Sequence, residues 1–183
     1  MPSAEKSAPP PRQPRGPHRS SGRNGAARRD RSHVLVIVDL QHGFEAPEEL
    51  CERIRRYSRR FRLRVFTQFV NPRGSFFRRA LKRSTGEPGT REIELRLAPG
   101  PDDILIRKTT YGLRERDVRR LKSAGVRRAT VCGIDTDACV LGVMFSLFDG
   151  GIVPEVKADL CWSSTGLHTE ALKVLREQFQ RVK

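Results

Sequence analysis

The chain has 183 residues, 37% of them hydrophobic and 31% charged, and a formal net charge of +15. That length suits one domain of about 150 residues plus a tail, and it leaves little room for two independent cores. The longest uncharged apolar stretch, 138–148, is well short of the ~20 residues that span a bilayer, and no apolar run follows Met1, so a soluble cytoplasmic protein with no membrane partner is expected.

Residues 1–32 carry eight Lys/Arg against two Asp/Glu and hold six of the twelve prolines, with almost no large apolar side chain. Such a segment cannot bury enough surface to offset its ordering entropy, so a disordered basic tail over 1–32 is expected, with the domain at 33–183. Arginine outnumbers lysine 29 to 7. The bias is compatible with affinity for nucleic acid and equally with G/C-rich codons. Cys51, Cys132, Cys139 and Cys161 form no C-x-x-C pair and no zinc-like cluster with histidine, so four reduced thiols are expected.

The domain alternates strand and helix patterns. The β-branched run 33–39 predicts a strand buried on both faces. Leu50, Ile54, Tyr57 and Phe61 fall at helical spacing within 47–61, with arginines on the opposite face. A second strand is predicted at 63–70. Residues 71–100 are rich in Pro and Gly and read as irregular. Then follow a strand at 103–107, a helix at 114–124 closed by Gly125, a strand at 128–133, and an apolar helix at 137–148 ended by Gly150 and Gly151. A fifth strand at 152–156 and a helix at 165–179 complete the pattern. Strands separated by helices imply right-handed crossovers. The expected fold is α/β, a three-layer α-β-α sandwich around a mainly parallel sheet of five or six strands.

In open α/β sheets ligands bind beyond the carboxyl ends of the strands. Asp39 follows the first strand, Lys108 the third, and Gly133-Ile134-Asp135-Thr136-Asp137-Ala138-Cys139-Val140 the fourth. A carboxylate, an amine and a thiol therefore converge on one rim. Singly, each has a plain structural reading as a turn cap, a surface lysine or a packed thiol, as is expected of Cys51, Cys132 and Cys161. Together they supply a nucleophile in the first turn of a helix, a base, and backbone donors for an oxyanion.

These residues resemble the isochorismatase-like cysteine hydrolases, a family that includes nicotinamidases, N-carbamoylsarcosine amidases and ureidoacrylate amidohydrolases. Asp39, Gln41 and Phe44 are similar to the family's D-x-Q-x-x-F segment, Lys108 and Tyr111 to its K-x-x-Y, and 133–140 to its nucleophile turn. Asp159 matches a recurrent acid after the fifth strand. The resemblance implies a triad in which Cys139 is the nucleophile, Asp39 the general base, and Lys108 the group that lowers the thiol pKa and orients Asp39. It also implies a non-proline cis peptide between Ile134 and Asp135, oxyanion donors at the N–H groups of Ala138 and Cys139, and candidate pocket wall at Gln41, Phe44 and Tyr111. A homodimer or homotetramer is implied in the same way.

The departures are specific. Nicotinamidases follow the second strand with a D-x-H metal site, whereas residues 67–77 here contain neither Asp nor His. No metal and no cofactor are therefore expected. The expected function is cleavage of a C–N bond in a small amide, carbamoyl or ureido compound through a Cys139 thioester. Residues 52–83 hold twelve Lys/Arg and one acid, Glu52. Arg73, Arg78 or Arg79 at the pocket mouth would select an anionic substrate. Two rival readings are a catalytically degenerate member of the family and a basic protein that binds nucleic acid through the tail and this stretch. No RNA- or DNA-reading motif supports the last.

Overall fold

A computed structural model describes residues 31–180. The expectation of a disordered tail falls almost wholly outside them. Five strands, β1 (His33–Val38), β2 (Arg64–Phe69), β3 (Ile104–Lys108), β4 (Arg128–Gly133) and β5 (Val153–Cys161), form one all-parallel sheet in the order β3-β2-β1-β4-β5. The helices are α1 (Glu48–Ser58), α2 (Phe76–Leu81), α3 (Glu115–Ser123), α4 (Leu141–Asp149) and α5 (His168–Phe179). Among the described residues no helix is long and apolar enough to cross a membrane.

The sheet is buried on both faces, which explains why β1 shows no polar alternation: Val34 to Val38 are all inaccessible. Helix α1 turns Leu50, Cys51 and Ile54 inward on one face, where Arg53 reaches Asp159 of β5 at 3.2 Å. On the other face α4 buries Val143, Met144 and Leu147, and its Phe145 and Phe148 meet Phe179 of α5 edge-on. Strand order reverses between β1 and β4, so loops leaving these two strands diverge and open a crevice at their carboxyl ends.

Three sequence expectations change. The stretch 71–100 is not wholly irregular, because Ser75 accepts a hydrogen bond from the Arg78 N–H and caps the short helix α2. The helix expected from 137 begins instead with a wide turn, Thr136–Val140, in which the Val140 N–H reaches back five residues to the Asp135 carbonyl at 3.0 Å. β5 runs on to Cys161, so Asp159 lies inside the strand rather than after it. There it faces Arg53 and Lys157, which hold its carboxyl below the ordinary value despite the burial that opposes them.

Gly133 ends β4 at φ +117°, and a Cβ there would overlap the Val38 backbone of the neighbouring strand. Only glycine satisfies both demands. Gly133→Ala is expected to destabilise the fold by about 3 kcal/mol or more, read from the urea midpoint, since it combines backbone strain with overpacking.

All four cysteines are free and buried. Burial pushes the thiols of Cys51, Cys132 and Cys161 above the ordinary 9.0, that of Cys161 to about 12. The unfolded chain releases these protons above pH 9 while the folded chain keeps them. Stability should therefore be level through neutral pH and fall above pH 9, by up to about 1.4 kcal/mol per thiol for each pH unit. Urea titrations at pH 7 to 10.5 measure this directly.

Candidate active site

Asp39 lies just past β1 at φ +46°, a left-handed residue that stops the strand and turns the carboxylate over the sheet edge. Thr67 of β2 fixes it twice: its hydroxyl donates to Asp39 Oδ1 at 2.6 Å and accepts from the Asp39 N–H at 3.1 Å. Gln41, fully buried, exchanges two hydrogen bonds with the Phe69 backbone, donating to its carbonyl at 3.0 Å and accepting from its N–H at 2.7 Å. It thereby locks the turn after β1 onto the end of β2. It does not line the cavity, so the expectation of Gln41 as pocket wall is corrected: its amide is fully occupied by backbone.

Lys108, the last residue of β3, is 2% exposed and passes over the Phe69 ring, with Nζ 5.4 Å from the centroid. Its Nζ donates to the carbonyls of Thr110 and Tyr111 at 2.9 and 3.0 Å and to Cys139 Sγ at 3.3 Å. Asp39 Oδ2 lies 2.6 Å from the same Nζ in a buried ion pair, so one ammonium touches both the carboxylate and the sulfur.

Burial alone would neutralise Lys108. The charges of Asp39 and of an ionised Cys139 outweigh it and hold the ammonium above the ordinary lysine value. At Cys139 burial dominates and Asp39 adds to it, so the thiol is pushed up; Lys108 pulls the other way and loses. Lys108 thus acts in the direction the resemblance implied, lowering the cost of ionising the sulfur against burial and the Asp39 charge, which raise it.

The nucleophile turn is pinned from below. The Thr136 N–H and hydroxyl both donate to the Trp162 carbonyl at 3.1 Å, Asp137 accepts from Ser163 and Thr165, and Asp135 accepts from the Ser164 N–H at 2.9 Å. The Ile134–Asp135 peptide is cis. The Ala138 N–H donates to the Asp135 carbonyl at 3.1 Å, so it is engaged rather than presented as the resemblance implied. The Asp135 N–H donates to no described residue.

A cavity of about 760 Å3 opens over Cys139, within the range of small-molecule sites. Phe44 and Tyr111 line it as expected, joined by Phe69, Phe77 and Trp162. Arg73 and Arg78 do not: Glu87 holds both at 3.3 Å. Arg79 is also absent from the lining, and the basic side chains at the cavity are Lys82 and Arg83.

A thiol, a carboxylate and a buried amine thus meet beyond the carboxyl ends of β4, β1 and β3. Residues 33–182 match the family model of the Isochorismatase domain, and the chain belongs to that family of isochorismatase-like cysteine hydrolases. Its fold is similar to that of a pyrazinamidase of Pyrococcus horikoshii in complex with zinc (TM-score 0.75, 19% identity, 83% of this chain and 98% of that one). It is similar likewise to an N-carbamoylsarcosine amidase from Thermoplasma acidophilum (0.67, 18%, 83% and 95%) and a cysteine hydrolase from Pseudomonas syringae pv. phaseolicola (0.69, 16%, 82% and 87%). No curated protein sequence matches the chain.

The zinc of the Pyrococcus protein has no fitting donors here. Among the described residues no three His, Cys, Asp or Glu side chains gather to hold a metal. Past β2 stands Asn71, whose amide donates to the carbonyls of Arg83 and Thr85 at 2.9 and 3.0 Å and whose carbonyl accepts from Ser75.

Thr67→Val keeps the shape and removes the hydroxyl that orients Asp39. It should cost about 1–3 kcal/mol in urea unfolding, because a buried carboxylate oxygen and a buried N–H each lose a partner.

Proposed function

We propose that the protein is a metal-independent cysteine hydrolase that cleaves the C–N bond of a small amide, carbamoyl or ureido compound. The observation that carries this reading is the buried Lys108 ammonium in contact with both the Asp39 carboxylate, at 2.6 Å, and the Cys139 sulfur, at 3.3 Å.

As Cys139 Sγ attacks the carbonyl carbon, its proton passes to Asp39 Oδ2. The sulfur's developing charge is met by Lys108, whose hydrogen already points at it. The carbonyl oxygen becomes an oxyanion facing the Asp135 N–H, the unengaged amide at the cavity wall, together with the Cys139 N–H. Asp39 then gives its proton to the departing nitrogen, the C–N bond breaks, and ammonia or an amine leaves a thioester on Cys139. Water attacks the thioester while Asp39 takes its proton. The C–S bond breaks, and the thiol is restored with release of a carboxylic acid. A homodimer or homotetramer and a cytoplasmic setting belong to the same reading.

The test is ammonia release from a panel of small amides and ureido compounds, before and after exhaustive dialysis against a chelator. Hydrolysis of at least one compound, unchanged by the chelator, is expected. Activity that vanishes on chelation and returns with zinc would contradict metal independence.

A further inference from the structure

The basic segment between β2 and β3 is divided by its partners. Arg73 and Arg78 share the carboxylate of Glu87, and Arg78 also donates to the carbonyls of Asn71 and Ser84. Lys82 and Arg83 make no ion pair and no side-chain hydrogen bond with any described residue, and these two are the ones that line the cavity over Cys139. Lys82 adopts φ +55° as the cap of α2, which ends that helix at the cavity wall. The Arg83 backbone is anchored from both sides, its carbonyl accepting from Asn71 and its N–H donating to the Phe77 carbonyl at 3.3 Å. Arg83 lines the same cavity as Asp135 of the nucleophile turn and Cys139.

The acids that face these cations do not cancel them. Asp135 is tied to the Ser164 N–H at 2.9 Å, and burial raises its pKa above the ordinary value. Glu45 reaches the cavity from the turn after β1, exposed to solvent. Between the rim and the thiol run aromatic rings in edge-on sequence, Phe69 to Phe77 at 4.9 Å and Phe77 to Tyr111 at 4.8 Å, with Phe44 6.1 Å from Phe69. These walls suit a planar or apolar body, and two unpaired cations beyond them suit an anion held at the remote end.

We infer that Lys82 and Arg83 are the specificity-determining pair of the site and select an amide or ureido substrate that carries a carboxylate, or a comparable anion, remote from the scissile carbonyl. The inference rests on the proposed hydrolase reading.

The test compares two reagents of equal reactivity that differ in charge, N-ethylmaleimide and 3-maleimidopropionate, with adduct formation at Cys139 followed by peptide mass spectrometry at pH 7. In the wild-type protein the anionic reagent is expected to gain about tenfold in relative rate at low ionic strength, an advantage that fades in about 0.5 M salt. The Lys82→Gln/Arg83→Gln variant should lose it, Arg73→Ala should keep it, and Glu45→Gln should enlarge it. If Cys139 reacts with both reagents and the relative rate is the same in the wild type and in Lys82→Gln/Arg83→Gln, this inference fails and the hydrolase reading stands. If Cys139 reacts with neither, the hydrolase reading fails and the inference falls with it.

Discussion

Cys139→Ala is expected to lower amide hydrolysis by at least about a thousandfold while the protein keeps its fold. The sulfur is the cavity-lining nucleophile in contact with Lys108, and in the proposed mechanism Asp39 and Lys108 have no nucleophile to assist once it is gone. The side chain is small and 8% exposed, and alanine gives up only the sulfur and its contact with Lys108. Thermal unfolding should therefore shift little, which separates loss of chemistry from loss of structure. Ammonia release measured beside a melting curve decides it. Residual turnover close to wild type would remove Cys139 from the mechanism.

Lys108→Met should have the largest effect on stability of any single change at the site. Asp39 is 1% exposed, and its carboxylate is tolerated there because an ammonium lies 2.6 Å from it. Methionine fills the space and leaves the charge unpaired, and it also strips the carbonyls of Thr110 and Tyr111 of their donor. Breaking a buried pair by removing one partner costs about 3–5 kcal/mol. The double variant Asp39→Asn/Lys108→Met should recover part of that loss, because it removes the orphaned charge. Urea titrations of the two variants measure the difference; a neutral Lys108→Met would mean that the pair is not holding the site together.

The sheet was legible because its signals are local. The run 33–39 is too apolar to face water, and each later strand is flanked by a helical period. The carboxyl-end rule then placed Asp39, Lys108 and Cys139 on one rim, and the structure brings Lys108 into contact with both of the others. What the sequence hid depends on side chains meeting across the fold. Thr67 carries no motif, and only its position on β2 beside Asp39 gives it a role. Gln41 looked like pocket wall because a polar residue next to a candidate base invites that reading, whereas its amide is matched to the Phe69 backbone. Arg73 and Arg78 differ from Lys82 and Arg83 only through Glu87, a residue that sequence spacing does not connect to them. The Cys139 thiol depends on the fold in the same way: Lys108 lowers its pKa, while burial and the Asp39 charge, which only the packed structure supplies, raise it by more.

The central claim is that Cys139 is activated by Asp39 at the moment of attack. The most direct test is the alkylation rate of each cysteine as a function of pH, with Cys51, Cys132 and Cys161 as internal controls. An ordinary thiol gains tenfold in rate for each pH unit below its pKa, because only the thiolate reacts. Transfer within the site leaves the total proton count unchanged, so Cys139 should react readily at pH 6 and show a nearly level rate to pH 8. The other three should stay unmodified in the folded protein, and Lys108→Met should abolish the advantage of Cys139. A Cys139 rate that climbs tenfold per pH unit, or one as slow as the three buried controls, would contradict the account.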